Sequence, residues 1–141
     1  FLLFLVLIST SFGCILAAGC IGCVEMEKVT YTYSDGNGNT YILTSQGDKT
    51  VEYQPIKPEQ SSSGIYDGGD PVTKKINDEG YHKVTNLFHK AIANQSVHIE
   101  NRVKMSGLIK VKKEAQETIV ILKPGCDEQT ELEKALKELI K

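Results

Sequence analysis

The sequence predicts an α+β fold: a mainly antiparallel sheet with two helices packed on one face. Three observations predict it. Period-two alternation of apolar and polar residues fills the first part of the body and returns later. Stripes at helical spacing occur in two stretches. No helix intervenes between the first strands, so they are expected to pair as a meander and not through parallel crossovers. The expected order is β-β-β-α-β-β-α.

Val29, Tyr31 and Tyr33 point one way and Thr30 and Thr32 the other, as in a half-buried strand. Asp35-Gly-Asn-Gly-Asn39 supplies a turn, Tyr41 and Leu43 a second strand, Gly47-Asp48 another turn, and Val51 and Tyr53 a third strand, stopped by Pro55 and Pro58. Residues 57–71 read as a loop, with Ser61-Ser62-Ser63-Gly64, Gly68-Gly69 and Pro71. Ile65 and Tyr66 are expected to pack it down at one point.

Asp78 is expected to cap a helix reaching about Asn94, with Tyr81, Val84, Leu87, Phe88, Ala91 and Ile92 as its apolar stripe. Alternation then runs from Val97 to Lys112. Val97, Ile99, Val103, Met105, Ile109 and Val111 share one side; His98, Glu100, Arg102, Lys104, Lys110 and Lys112 share the other. Ser106-Gly107 marks a bulge, bend or break within it. Thr118–Leu122 reads as a strand. Asp127–Ile140 reads as a helix burying Leu132, Ala135, Leu136, Leu139 and Ile140, with acids in its first turn and Lys137 and Lys141 at its end, as the helix dipole favours.

The 24 residues before this body contain no Asp, Glu, Lys, Arg or His. They divide the chain into an export, lipidation or membrane-anchor segment, residues 1–24, and a single domain, residues 25–141. The first residue is Phe rather than Met, so upstream residues carrying a basic region are expected. Leu16-Ala17-Ala18-Gly19-Cys20 resembles the lipobox of bacterial envelope lipoproteins. That resemblance implies cleavage before Cys20, acylation of Cys20 with lipid such as palmitate, and attachment to the envelope membrane. Cys14 is a rival position, and a cleaved secretory signal or an uncleaved span of about 20 residues remain alternatives. In each case the domain is expected outside the cytoplasm.

Three of the four cysteines fall at 14, 20 and 23, leaving Cys126 in the body. Cys23 and Cys126 form one possible pair; a reactive thiol at the start of the last helix is another reading. His82, His89 and His98 lie far from paired cysteines, so no metal site is expected. Asp35, Asn37 and Asn39 have the first three spacings of a calcium loop, but Thr40 stands where glycine is needed and Gln46 where a bidentate Glu is needed. An ordinary turn is expected there.

Formal net charge is −2, yet Lys74 to Lys113 holds nine Lys and Arg against three acids. With no aromatic residues interleaved to stack bases, nucleic-acid binding is not expected. No Gly-x-Ser-x-Gly elbow is present, and neither catalysis nor a cofactor is expected. The expected role is a small membrane-anchored binding module for an envelope protein or polysaccharide. Its candidate contacts are Ser63, Tyr66, Asp67 and Asp70 on the loop, with Arg102 and Lys104 on the basic strand face. An inhibitor of a secreted hydrolase is the alternative, and an enzyme a more distant one. Ser63-Gly64-Ile65-Tyr66 distantly resembles periplasmic lysozyme inhibitors, though the Trp expected of them is absent from this chain.

Overall fold

The computed structural model describes residues 27–141. The apolar segment, the candidate lipidation positions Cys20 and Cys14, and Cys23 lie outside them. Among the described residues, no helix is long and apolar enough to cross a membrane.

The chain forms β1 (Val29–Ser34), β2 (Thr40–Thr44), β3 (Thr50–Gln54), β4 (Val72–Lys75), α1 (Asp78–Ala93), β5 (Gly107–Lys113), β6 (Gln116–Leu122) and α2 (Asp127–Ile140). The strands make one antiparallel sheet in the order β4-β3-β2-β1-β5-β6. This is the α+β class that the alternation predicts. Tyr31 and Tyr33, Tyr41 and Leu43, Val51 and Tyr53, Ile109 and Leu122 line the covered face. They share one core with Tyr81, Val84, Phe88 and Ala91 of α1 and Leu132, Ala135 and Leu136 of α2. Burial of these apolar faces is what holds helices and sheet together. The helices run antiparallel and are bridged at the surface by Lys83–Glu138 (3.1 Å) and Lys90–Glu131 (2.6 Å).

Four expectations change. Val72–Lys75 is a fourth strand pairing with β3, so three strands become four before the first helix. Asn77, not Asp78, caps α1: its side chain accepts from the Gly80 amide at 2.8 Å. The long alternation is a strand only from Gly107. Residues 95–97 form a short 3-10 turn, His98 makes an isolated bridge to Leu122, and Val103 and Met105 are exposed instead of sharing the core side with Ile109. The reason is the length of β1. Leu108 pairs with Ser34, after which β1 turns away, so Val103 and Met105 find no partner on β1, and the earlier residues 97–99 meet only the end of β6. Last, Ile65 does not pack; it is 84% exposed.

Glu114, in the two-residue connection between β5 and β6, has φ +51°, a left-handed conformation that a side chain disfavours. Glu114→Gly should therefore stabilise the domain by about 0.5–1 kcal/mol, read as a higher urea midpoint with an unchanged slope.

The buried tyrosines predict alkaline behaviour. Burial raises the phenol pKa of Tyr33 and Tyr41 far above 10.0; for Tyr33 the Glu133 carboxylate adds to it, and for Tyr41 the neighbouring Tyr53 does. Groups whose folded pKa is raised contribute stability that is complete below the unfolded pKa and lost as pH rises past it. These two should leave stability level from pH 7 to about 9. Above pH 10 each should erode it by about 1.4 kcal/mol per pH unit, because the unfolded chain releases protons that the native one holds. Tyr41→Phe should flatten that decline in urea titrations across pH.

Candidate functional site

In an antiparallel meander, alternate connections gather at one end of the sheet. Here the β1–β2 turn, the 55–71 loop between β3 and β4, and the 98–106 segment before β5 all lie at the end where β1 finishes. The end where β1 begins, which follows the apolar segment, lies six residues or roughly 20 Å away.

The β1–β2 turn is built around an inward carboxylate. Asp35 Oδ1 accepts from the amides of Asn37 and Asn39, each at 2.9 Å, and Asp35 Oδ2 accepts from the Asn39 side-chain amide at 2.8 Å. The same Asn39 Nδ2 donates to the Tyr66 hydroxyl at 2.8 Å, and Asn39 Oδ1 accepts from the Ile56 amide at 3.1 Å. A buried Asn therefore fastens the long loop to the turn. The Asp35 carboxylate is occupied by donors of its own turn, an arrangement without the oxygen cage of a calcium site. No cluster of potential metal ligands occurs among the described residues.

The third wall is Arg102–Ser106. Met105 has φ +68°, and a side chain on Gly36 would meet its Cα at 2.6 Å, so only glycine lets the two backbones approach. Gln129 of α2 holds Met105 from beneath. Its Nε2 donates to the Met105 carbonyl and to Glu133 Oε1, both at 3.0 Å, and Tyr33 OH donates to the same Glu133 oxygen at 2.7 Å. The Ser106 hydroxyl donates to the Val103 carbonyl at 2.6 Å, and Arg102 Nη2 to the Asp35 carbonyl at 3.1 Å. Met105 thus sits in a left-handed conformation between the Gly36 backbone on one side and the Gln129 amide on the other.

Between these walls is a cleft of about 580 Å³. Ser61, Ser62, Ser63 and Gln60 form one side, and Gly36 and Asn37 belong to the turn. Lys104 supplies an ammonium group, and Ile56, Tyr66 and Met105 supply carbon surface. The hydroxyls of Ser61 and Ser63 lie 2.9 Å apart and hydrogen-bond each other. Among the described residues no carboxylate lines the cleft, and neither Lys104 nor Arg102 forms a salt bridge.

Of the candidate residues, Ser63, Tyr66 and Lys104 come together here, and Arg102 stands beside them on the Asp35 carbonyl. Arg102 and Lys104 belong to this loop and not to a strand face shared with Lys110 and Lys112. Asp67 and Asp70 are absent from the lining and turn to Lys57, at 3.4 and 4.0 Å. The Gly69 amide, and after it Lys57, holds the Asp67 carboxyl below the usual carboxylate range. Asn37, Gln60 and Met105 were not among the sequence candidates. The Asn-Gly pair reads as turn chemistry, and Met105 reads as core in an alternating run. The histidines have separate tasks: His89 Nε2 bonds the Tyr31 hydroxyl at 3.1 Å, and His98 Nε2 donates to the Ala91 carbonyl at 2.8 Å. Half-buried Cys126 is the N-cap residue of α2.

No protein-family model matches the chain, and no curated protein or solved structure matches it either.

Proposed function

We propose that this chain is a membrane-anchored envelope lipoprotein whose exported domain acts as a binding module, taking its ligand in the cleft between the 35–39 turn, the 55–71 loop and Arg102–Ser106. The observation that carries the reading is the convergence of three distant loops on a preformed polar cleft, with strained Met105 locked into its wall. The hydroxyls of Ser61 and Ser63 bond each other and are placed at the rim as contact groups for such a ligand.

A photo-crosslinking residue at Ser62 in intact cells tests this, with one at exposed Glu79 in the first turn of α1 as control. An adduct at position 62 alone is expected; equal labelling at both, or none, refutes it. The anchor is tested by palmitate labelling. Label should disappear with Cys20→Ala and persist with Cys14→Ala.

Ile65 favours a second reading, inhibition of a secreted hydrolase. It projects beside Gly64 (φ +70°) from a loop tied at its base by Tyr53 OH to the Gly68 carbonyl at 2.8 Å. Loss of hydrolase turnover on adding the chain, reversed by Ile65→Asp, is the outcome that would support it.

A further inference from the structure

We infer that the ligand of the cleft is an acidic saccharide, a sugar unit that presents a carboxylate together with several hydroxyls. The inference rests on the binding-module reading and adds the chemistry of the ligand. The lining offers two kinds of recognition at once. Ser62 and Asn37 place hydroxyl and amide groups that can both donate and accept, and Ser63 and Gln60 keep part of that capacity beyond their bonds to Ser61 and the Lys57 amide, which suits sugar hydroxyls. Lys104 adds an ammonium group with donors only.

A small bare anion would meet Lys104 and a few donors but make no use of the acceptor oxygens of the lining. A neutral sugar would use both donors and acceptors but give the ammonium no charge to pair with. A ligand carrying both uses the whole lining. The charges are compatible: Lys104 lines the cleft with Arg102 near the same turn, no carboxylate is in the lining among the described residues, and the buried Asp35 carboxylate behind the turn is taken up by the Asn37 and Asn39 donors. The carbon surface of Met105 and Tyr66 gives the C–H faces of a sugar ring something to rest on. A volume of about 580 Å³ lies within the range of small-ligand sites.

The test is calorimetric titration of the full lipidated chain in a neutral detergent. The probes are trigalacturonate, a hyaluronan tetrasaccharide and N-acetylmuramic acid, each beside its methyl ester, with tetraglutamate and citrate as acidic ligands that are not sugars. At least one acidic saccharide should bind, with its ester about three- to tenfold weaker. Lys104→Gln should remove most of that preference by weakening the acid several-fold more than its ester, and Ser63→Ala should weaken acid and ester alike. Three results overturn the inference: esters binding as tightly as acids, tetraglutamate or citrate binding as tightly as the saccharides, or no saccharide binding. If the Ser62 crosslink forms in cells while no saccharide binds, only the ligand class falls; if that crosslink is also absent, the binding-module reading falls with it.

Discussion

Replacing Asn39 with alanine is expected to cost the domain about 3 kcal/mol and to free the 55–71 loop from the turn. Asn39 is 3% exposed and its side chain serves three partners: Asp35 Oδ2, the Tyr66 hydroxyl and the Ile56 amide. Truncation removes these bonds and leaves a carboxylate oxygen and a backbone N–H short of partners in a confined space. Each orphaned group costs about 1–3 kcal/mol. Tyr66→Phe removes one acceptor only and should cost about 1 kcal/mol. Urea denaturation of the two variants separates these values, and amide hydrogen exchange should rise across residues 55–68 in the first alone. A loss below about 1 kcal/mol in Asn39→Ala would show that the loop is held by something other than this side chain.

Phe88→Ala should cost about 3–5 kcal/mol, the range for removing a buried aromatic ring. Phe88 is fully buried in the middle of α1, its ring centroid 5.2 Å from that of Tyr31 across the helix–sheet interface. A backbone tied into both a helix and a sheet closes over such a hole incompletely. For a domain of this size the loss corresponds to a fall in Tm of about 12–20 °C. Leu87→Ala, one position along and only partly buried, should cost less. Equal losses from the two would mean that burial against the sheet is not what sets the cost.

The core was legible because its signals are local. Alternation between Val29 and Tyr53 places each tyrosine on the side where the structure buries it. The last helix has its expected bounds, Asp127–Ile140, since its stripe and end charges are all within one element. β4 carries no periodic signal because an edge strand needs little apolar surface. Val72-Thr-Lys-Lys75 has one partly buried residue, and its lysines are of the kind that keep an exposed edge from pairing with another chain.

The cleft was legible only in pieces. Ser63 and Tyr66 drew attention as an irregular loop, and Arg102 and Lys104 as part of a basic stretch, yet Lys104 lies 38 positions beyond Tyr66 in the chain. No local pattern states that they meet. Met105 illustrates the same limit from the other side: it satisfies the alternation of a strand, but β1 has ended at Ser34 and offers it no partner.

Fold class, the covered face of the sheet and the stripes of both helices follow from the order of residues, because apolar periodicity is fixed residue by residue and burial follows it. The tertiary structure alone decided which loops face one another, that Asp67 and Asp70 turn to Lys57, and that Lys104 stands in a cleft walled by serines. Those outcomes depend on strand order and register, which set the end of the sheet where each connection emerges, and on long-range bonds such as Asn39 to Tyr66 and Gln129 to Met105 that form only once the sheet and helices have assembled.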